Sequence, residues 1–237
     1  MKIYNLSYLK RMNNLKGMEE IRRNHNDAKR ELIQCVTREG DQILDVGCGF
    51  GGDLQKWHKC GANMSMCDPE PSALVEARSR AKNMRMRVNF YEGDIHSCPN
   101  RKYDIVCYNF SLHYIFESHG KFFSSLREIR KRMKPGGRLV GIIPDSEKII
   151  FKTPYKDDLG NFFLMKGSPN GGYGEKLFVN LVDTPFYADG AKSEPIAYRD
   201  LLVTHLEEMG FKLEMWEGLG GNPISELYSK FIFVYKR

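Results

Sequence analysis

The chain has 237 residues, 41% hydrophobic and 28% charged, with a formal net charge of +6. That length and balance suit one large domain with a filled core and exclude a disordered chain. No run approaches the ~18 to 20 apolar residues that cross a bilayer, and the polar, basic start lacks the apolar centre of a signal peptide, so a soluble cytoplasmic protein is expected; the positive charge permits a polyanionic partner without requiring one.

Residues 1–17 show little apolar periodicity and read as a flexible arm or a linker from a longer chain, which leaves 18–237 as the domain. From Met18 to Val36, Ile21, Ala28, Leu32 and Ile33 form one stripe of a helix, with Arg22, Arg23, Lys29 and Arg30 around it. Next come strand 42–46, helix 52–60, strand 63–67, helix 70–82, and strands 87–91 and 103–108. Strands alternating with helices predict an α/β fold with a doubly wound, mostly parallel sheet. A helix over 121–133 carries Arg127, Arg130, Lys131 and Arg132, with Lys134 just beyond, and this cluster reads as a solvated face. The helix stops at Lys134-Pro135-Gly136-Gly137, before strand 138–143. Residues 145–195 break the alternation; strand-like 162–165 and 177–181 mark a β-rich insertion over the ligand crevice. A helix over 198–209, ended by Gly210, and strands 211–216 and 230–235 complete the chain as a closing hairpin.

The chemistry concentrates after the first strand, in Asp45-Val46-Gly47-Cys48-Gly49-Phe50-Gly51-Gly52-Asp53. Gly47 and Gly49 allow a turn that brings backbone amides close to a ligand, and a helix opens behind it. A dinucleotide is disfavoured, because a carboxylate at Asp45 would stand where a pyrophosphate must lie. The α-ammonium of S-adenosylmethionine (SAM) suits it better, with Asp68 at the next strand end for the ribose hydroxyls. Asp94 ends a third strand, and in an open α/β sheet these acids converge on one crevice, although each is also an ordinary helix cap. The six cysteines include no Cys-x-x-Cys pair and read as buried reduced thiols; His96 and Cys98 lack partners for a metal, and none is expected.

Several ordered segments resemble the messenger-RNA cap guanine-N7 methyltransferases, from about Arg22 to the C-terminus. Arg22-Arg23-Asn24-His25-Asn26-Asp27-Ala28-Lys29-Arg30-Glu31-Leu32-Ile33 is similar to the family's N-terminal helix, and Asp45 to Leu54 to its cofactor loop. Asn109-Phe110-Ser111-Leu112-His113-Tyr114 resembles its Gln-Phe-Ala-Leu-His-Tyr signature, Gly141-Ile142-Ile143-Pro144-Asp145 its Gly-Thr-Ile-Pro-Asp strand end, and Tyr173-Gly174 to Leu181 its Phe-Gly-x-x-Tyr-x-Phe segment. Phe50 stands where the family usually has a basic residue, with Lys29 and Asp53 as its compensation, and Ser193-Glu194-Pro195-Ile196-Ala197 keeps only the glutamate of the family's Pro-Glu-Tyr-Leu-Val. His25-Asn26 in place of Asn-Asn is more similar to the capping enzymes of large cytoplasmic DNA viruses, where this domain ends a longer protein that also carries triphosphatase and guanylyltransferase activities.

The resemblance implies a class I, Rossmann-like SAM-dependent methyltransferase with a seven-stranded sheet, acting on GpppRNA with GTP as the minimal acceptor. Asn26, Lys29, Asp45, Gly47, Gly49, Asp53, Asp68, Asp94, Asn109 and Tyr114 would hold SAM and release S-adenosylhomocysteine. Glu194 would accept from guanine N1–H and the exocyclic amine, His113 would face O6, and Tyr114 and Tyr228 would position the base. Pro144 would line the same pocket, with Lys56, Arg85 and Arg87 reaching the cap triphosphate. Other readings are a methyltransferase of a small molecule or protein, a non-catalytic RNA-binding or stimulatory module, and a nicotinamide dehydrogenase.

Overall fold

The computed structural model describes residues 6–165, 170–182 and 184–236, the side chains of 6–16 and of residue 185 excepted. Helix α1 (Leu6–Val36) leads into strand β1 (Gln42–Val46), α2 (Leu54–Lys59), β2 (Asn63–Asp68), α3 (Pro71–Asn83), β3 (Val88–Glu92) and β4 (Tyr103–Asn109). A 3-10 turn (Leu112–Glu117), α4 (His119–Arg132), β5 (Met133–Pro144) and α5 (Ser146–Lys152) follow. Then come β6 (Tyr155–Lys156), β7 (Phe162–Met165), β8 (Lys176–Asn180), a 3-10 turn (Pro185–Tyr187), β9 (Lys192–Pro195), α6 (Arg199–Glu208), β10 (Phe211–Gly218) and β11 (Tyr228–Tyr235).

Seven strands form one sheet in the order β10-β11-β5-β4-β1-β2-β3, parallel except for β11, which is antiparallel to both β5 and β10. Both faces are covered, so the middle of β1 (Ile43, Leu44, Asp45, Val46) is buried throughout instead of alternating. Ile43, Ile105 and Cys107 face α1 and α2 through Ile21, Leu32, Ile33 and Trp57, while Leu44, Val106 and Tyr108 face α4 and α6 through Phe122, Leu126, Ile129, Leu202 and Leu206. The 145–195 stretch supplies a second, antiparallel sheet, β6-β7-β8-β9. Among the described residues no helix is long and apolar enough to cross a membrane.

Four expectations are corrected. The arm predicted over 1–17 is helical from Leu6, because nothing from Leu6 to Lys16 breaks a helix and the stripe beginning at Met18 anchors it; residues 1–5 lie outside the described residues. The Pro-Gly-Gly turn does not precede β5 but bulges within it, between the pairs Tyr103–Met133 and Ile105–Arg138. Helix α5 opens the insertion where no helix was expected, capped by Asp145, which accepts from the Glu147 amide at 3.2 Å. Arg132 is not on a solvated face: it is 2% exposed, bonded to Glu128 and to Cys98 O, so it closes α4 against the turn after β3. Of the cysteines, all free, Cys67, Cys98 and Cys107 are buried as expected, while Cys35 is exposed.

Candidate functional site

The carboxyl ends of β1, β2 and β4 open into one crevice, the place where doubly wound sheets bind ligands. At its floor Asp45, 3% exposed, accepts from Trp57 Nε1 at 3.1 Å. The Gly47 and Cys48 amides donate to Cys67 O at 2.8 and 3.1 Å, which stitches the loop to β2. Gly47 has φ +75°, and a Cβ there would stand 2.5 Å from Ser111 Cβ, so both conformation and space demand glycine. Ser111 is itself fixed by donating to Val46 O at 2.6 Å. The Gly49 amide donates to Asp68 Oδ2 at 2.7 Å, yet the position of a Cβ at Gly49 has no atom within 4 Å. The backbone of the loop is therefore held from one side and open on the other.

Asp53, Lys29, Asn26 and Asn109 meet in one network through Lys56. The Asp53 carboxylate takes the ammonium groups of Lys29 and Lys56, each at 2.8 Å, and Asn109 Nδ2 at 3.0 Å. Lys56 Nζ also donates to Asn26 Oδ1 at 3.0 Å and Gly52 O at 3.1 Å. With three acceptors for three N–H groups it is engaged inside the loop and offers no free donor to a triphosphate, against the expectation for it. Arg85, exposed with φ +55°, lies just beyond α3 and donates its amide to Lys82 O, and Arg87 is exposed beside it.

The two buried loop acids differ in charge balance. Burial raises Asp53, but Lys29 and Lys56 outweigh it and hold the carboxyl below its usual range. Asp45 has no such partner in contact. Burial first, then the charge of Asp53 and more weakly Asp68, push it up to about 7 against the Trp57 bond and Lys29. A cation seated over Asp45 would relieve this. Asp94 is not part of the group: its exposed carboxylate caps a short 3-10 turn by accepting from the His96 amide at 2.9 Å and faces His96 Nδ1 at 3.0 Å. Among the described residues no cluster of three His, Cys, Asp or Glu forms a metal site.

A second, buried polar group lies where β9 meets the turn Leu112–Glu117. His113 and Glu194 are 2% and 4% exposed, with Nε2 and Oε2 3.2 Å apart. Tyr187 donates its hydroxyl to Glu194 Oε1 at 2.5 Å, and Tyr114 hydrogen-bonds the same carboxylate. Burial alone would raise Glu194, but His113, Tyr187 and Tyr114 together hold it below the usual carboxylate range. Both ring nitrogens of His113 are buried without a hydrogen-bond partner among the described residues, so Nε2 faces Glu194 closely but without an aligned hydrogen bond. Tyr114 joins the two halves of the site: its hydroxyl is pushed up by burial, then by Glu194, and also by Asp68. Tyr228, opposite Pro144 in the β5–β11 ladder, packs edge-on to Phe110 and His25 at 5.2 and 5.1 Å. His25, pushed down to about 4 by burial and then Lys29, is a neutral imidazole whose Nε2 has no hydrogen-bond partner among the described residues.

The structure thus brings His113, Tyr114 and Glu194 together from segments far apart in the chain. Sequence reasoning missed Tyr187, Trp57 and the ring of His25. Trp57 follows the quoted loop and His25 lies inside a quoted helix, so both were within reach; Tyr187 sits in irregular chain with no periodic signal.

Residues 6–163 match the family described as mRNA (guanine-N(7))-methyltransferase domain. Among its relatives, the mRNA cap guanine-N(7) methyltransferase of Saccharomyces cerevisiae is 34% identical over 154 residues, 59% of this chain and 35% of that protein. The protein of the same name from Schizosaccharomyces pombe is 33% identical over 146 residues, 55% of this chain and 41% of that protein. The chain therefore matches well under half of the length of these curated relatives. In fold it is similar to a SAM-dependent methyltransferase from Clostridium acetobutylicum (TM-score 0.59, 14% identity, 83% of this chain and 85% of that one). It is also similar to a glycopeptide N-methyltransferase complexed with SAM (TM-score 0.59, 15% identity, 87% and 92%).

Proposed function

This chain belongs to the mRNA (guanine-N(7))-methyltransferase domain family, and from that premise we propose that it methylates guanine N7 of the GpppRNA 5′ cap with SAM as donor. SAM brings a methyl group already activated on a sulfonium, and guanine N7 is an unprotonated nucleophile at neutral pH. No general base is required, and orientation, worth roughly 7 to 11 kcal/mol in favourable cases, becomes the protein's task. Asp45 and Asp68 bind the donor's ammonium and ribose, with the Gly47–Gly49 backbone alongside. Lys29, Asp53, Asn26 and Asn109 keep the loop in shape, and Tyr114 lines the junction with the acceptor. Asp94 and Arg85 stay in the proposal only as outer contacts, to the cofactor and the triphosphate.

One observation carries the reading: Glu194 is buried, held in its ionised form, hydrogen-bonded by Tyr187 and Tyr114 and faced at 3.2 Å by His113, and Tyr114 also senses Asp68. A carboxylate so placed accepts from guanine N1–H and the exocyclic amine and balances the positive charge that N7 methylation puts on the ring. His113, the buried group beside it, faces O6; base contacts of this kind discriminate by ~1 to 3 kcal/mol. Tyr228 and Pro144 close the pocket. In the same proposal the capped RNA comes from triphosphatase and guanylyltransferase activities linked to this domain in the cytoplasm, which the sequence resemblance supports.

The test is methyl transfer to GTP and to GpppRNA, with the product chromatographed as 7-methylguanine. Glu194→Ala should abolish transfer and leave SAM affinity nearly intact, whereas Asp45→Ala should lose both. Equal loss of SAM binding in the two variants would reject this division of roles, and a chain that binds no SAM in calorimetry would be the non-catalytic module instead.

A further inference from the structure

Phe186 leaves 52% of its surface exposed, and its position gives that exposure a use. Its ring meets Tyr187 edge-on at 5.0 Å, and Tyr187 is the residue that donates to Glu194. Lys192 on β9, two positions before Glu194 on the same strand, places Nζ over the same ring, 5.9 Å from its centre. A half-exposed phenyl ring and an ammonium thus stand beside the buried carboxylate, on the two segments that build the pocket.

A second exposed aromatic makes the contrast. Phe151, 89% exposed, borders a groove of about 460 Å³ with Lys148 and Lys152, but Glu147 and Glu226 line it too and Lys152 pairs with Glu226 at 2.8 Å. That groove is charge-balanced, and Glu194 is not among the residues that line it.

We propose that Phe186 and Lys192 form an outer subsite for the nucleotide that follows the cap guanosine, its base stacked on the Phe186 ring and its phosphates beside Lys192. The inference rests on the guanine-N7 reading. Every base has a π-face, so a phenyl platform accepts any first nucleotide, and an ammonium meets a phosphate without demanding sequence. The pocket at Glu194 would then read the guanine while the subsite senses that RNA is attached. GTP, which ends at its triphosphate, would bind the inner pocket alone.

The experiment compares GTP with the dinucleotide GpppA as acceptors for the full chain, its Phe186→Ala and Phe186→Leu variants, and Phe186→Trp. Losing the ring should raise KM for GpppA roughly tenfold, from the measured range of stacking losses, and leave KM for GTP within about twofold. Phe186→Leu keeps apolar bulk and should fail like alanine, whereas Phe186→Trp should restore the natural value. Equal shifts for both acceptors, or no shift for GpppA, would overturn the subsite. Should the unaltered chain methylate neither acceptor, the guanine-N7 reading falls first and this inference with it.

Discussion

Replacing Asp45 with asparagine should stabilise the ligand-free protein and deprive it of its donor. The carboxyl titrates at 3.8 in the unfolded chain and at about 7 in the fold. Between those values the folded state holds the extra proton, so stability falls as pH rises through the window, and the full cost is present above about pH 7. A shift of that size corresponds to about 4 kcal/mol at 1.36 kcal/mol per unit. Asparagine keeps an acceptor for Trp57 Nε1 and puts no charge beside Asp53 and Asp68. Ligand-free Asp45→Asn should therefore gain up to about 4 kcal/mol at pH 8, roughly a 10 °C rise in Tm for a chain of this length, and should converge with the natural protein near pH 4. Thermal unfolding at pH 4, 6 and 8, with and without S-adenosylhomocysteine, measures both effects. The ligand should raise the Tm of the natural chain at pH 8 and leave the variant nearly unmoved. A variant no more stable at pH 8, or a gain equal at pH 4 and pH 8, would refute the reasoning.

His25 is the converse case. Its imidazole is held neutral down to about 4 from an ordinary 6.5, so this group by itself costs up to about 3 kcal/mol as pH falls across that interval, opposing the gain from Asp45; His25→Phe should remove that cost, so that from pH 7 to 4.5 its urea midpoint rises relative to that of the natural chain. Gly47→Ala puts a methyl 2.5 Å from Ser111 Cβ at a positive φ; loss of SAM binding in calorimetry is expected, with at least about 1 to 3 kcal/mol of destabilisation, and Ser111→Gly should recover only the steric part. Tyr187→Phe removes one bond to an ionised carboxylate, worth about 1.5 to 3 kcal/mol. KM for GTP should rise at least about tenfold with SAM affinity unchanged, and the acidic limb of the rate profile should move to higher pH because that bond helps hold Glu194 low. An acidic limb that stays in place would count against Glu194 as the base-reading group.

Much of this protein was legible from its residues alone. Strand-terminal Asp45 and Asp68, the glycines between them and the alternation of strands and helices are local features, and local chain geometry dictates them: β1, β2 and β4 lie where the pattern placed them, in a mostly parallel sheet, while its seven strands were implied by the resemblance alone. The helical start at Leu6 and helix α5 were less legible, because neither shows an apolar stripe strong enough to outweigh its polar residues. What only the tertiary structure decided is which charges are satisfied. Lys56 and Asp94 have the composition of ligand contacts, yet one spends its donors on Asp53, Asn26 and Gly52 and the other caps a turn. Glu194 offered the reverse, one glutamate in an irregular stretch, until β9 carried it against His113 and Tyr187 reached it from the neighbouring turn. Spacing along a chain sets periodicity and therefore elements; burial and the identity of a charge's partner arise only when distant elements meet, and those two quantities decide what a side chain can do.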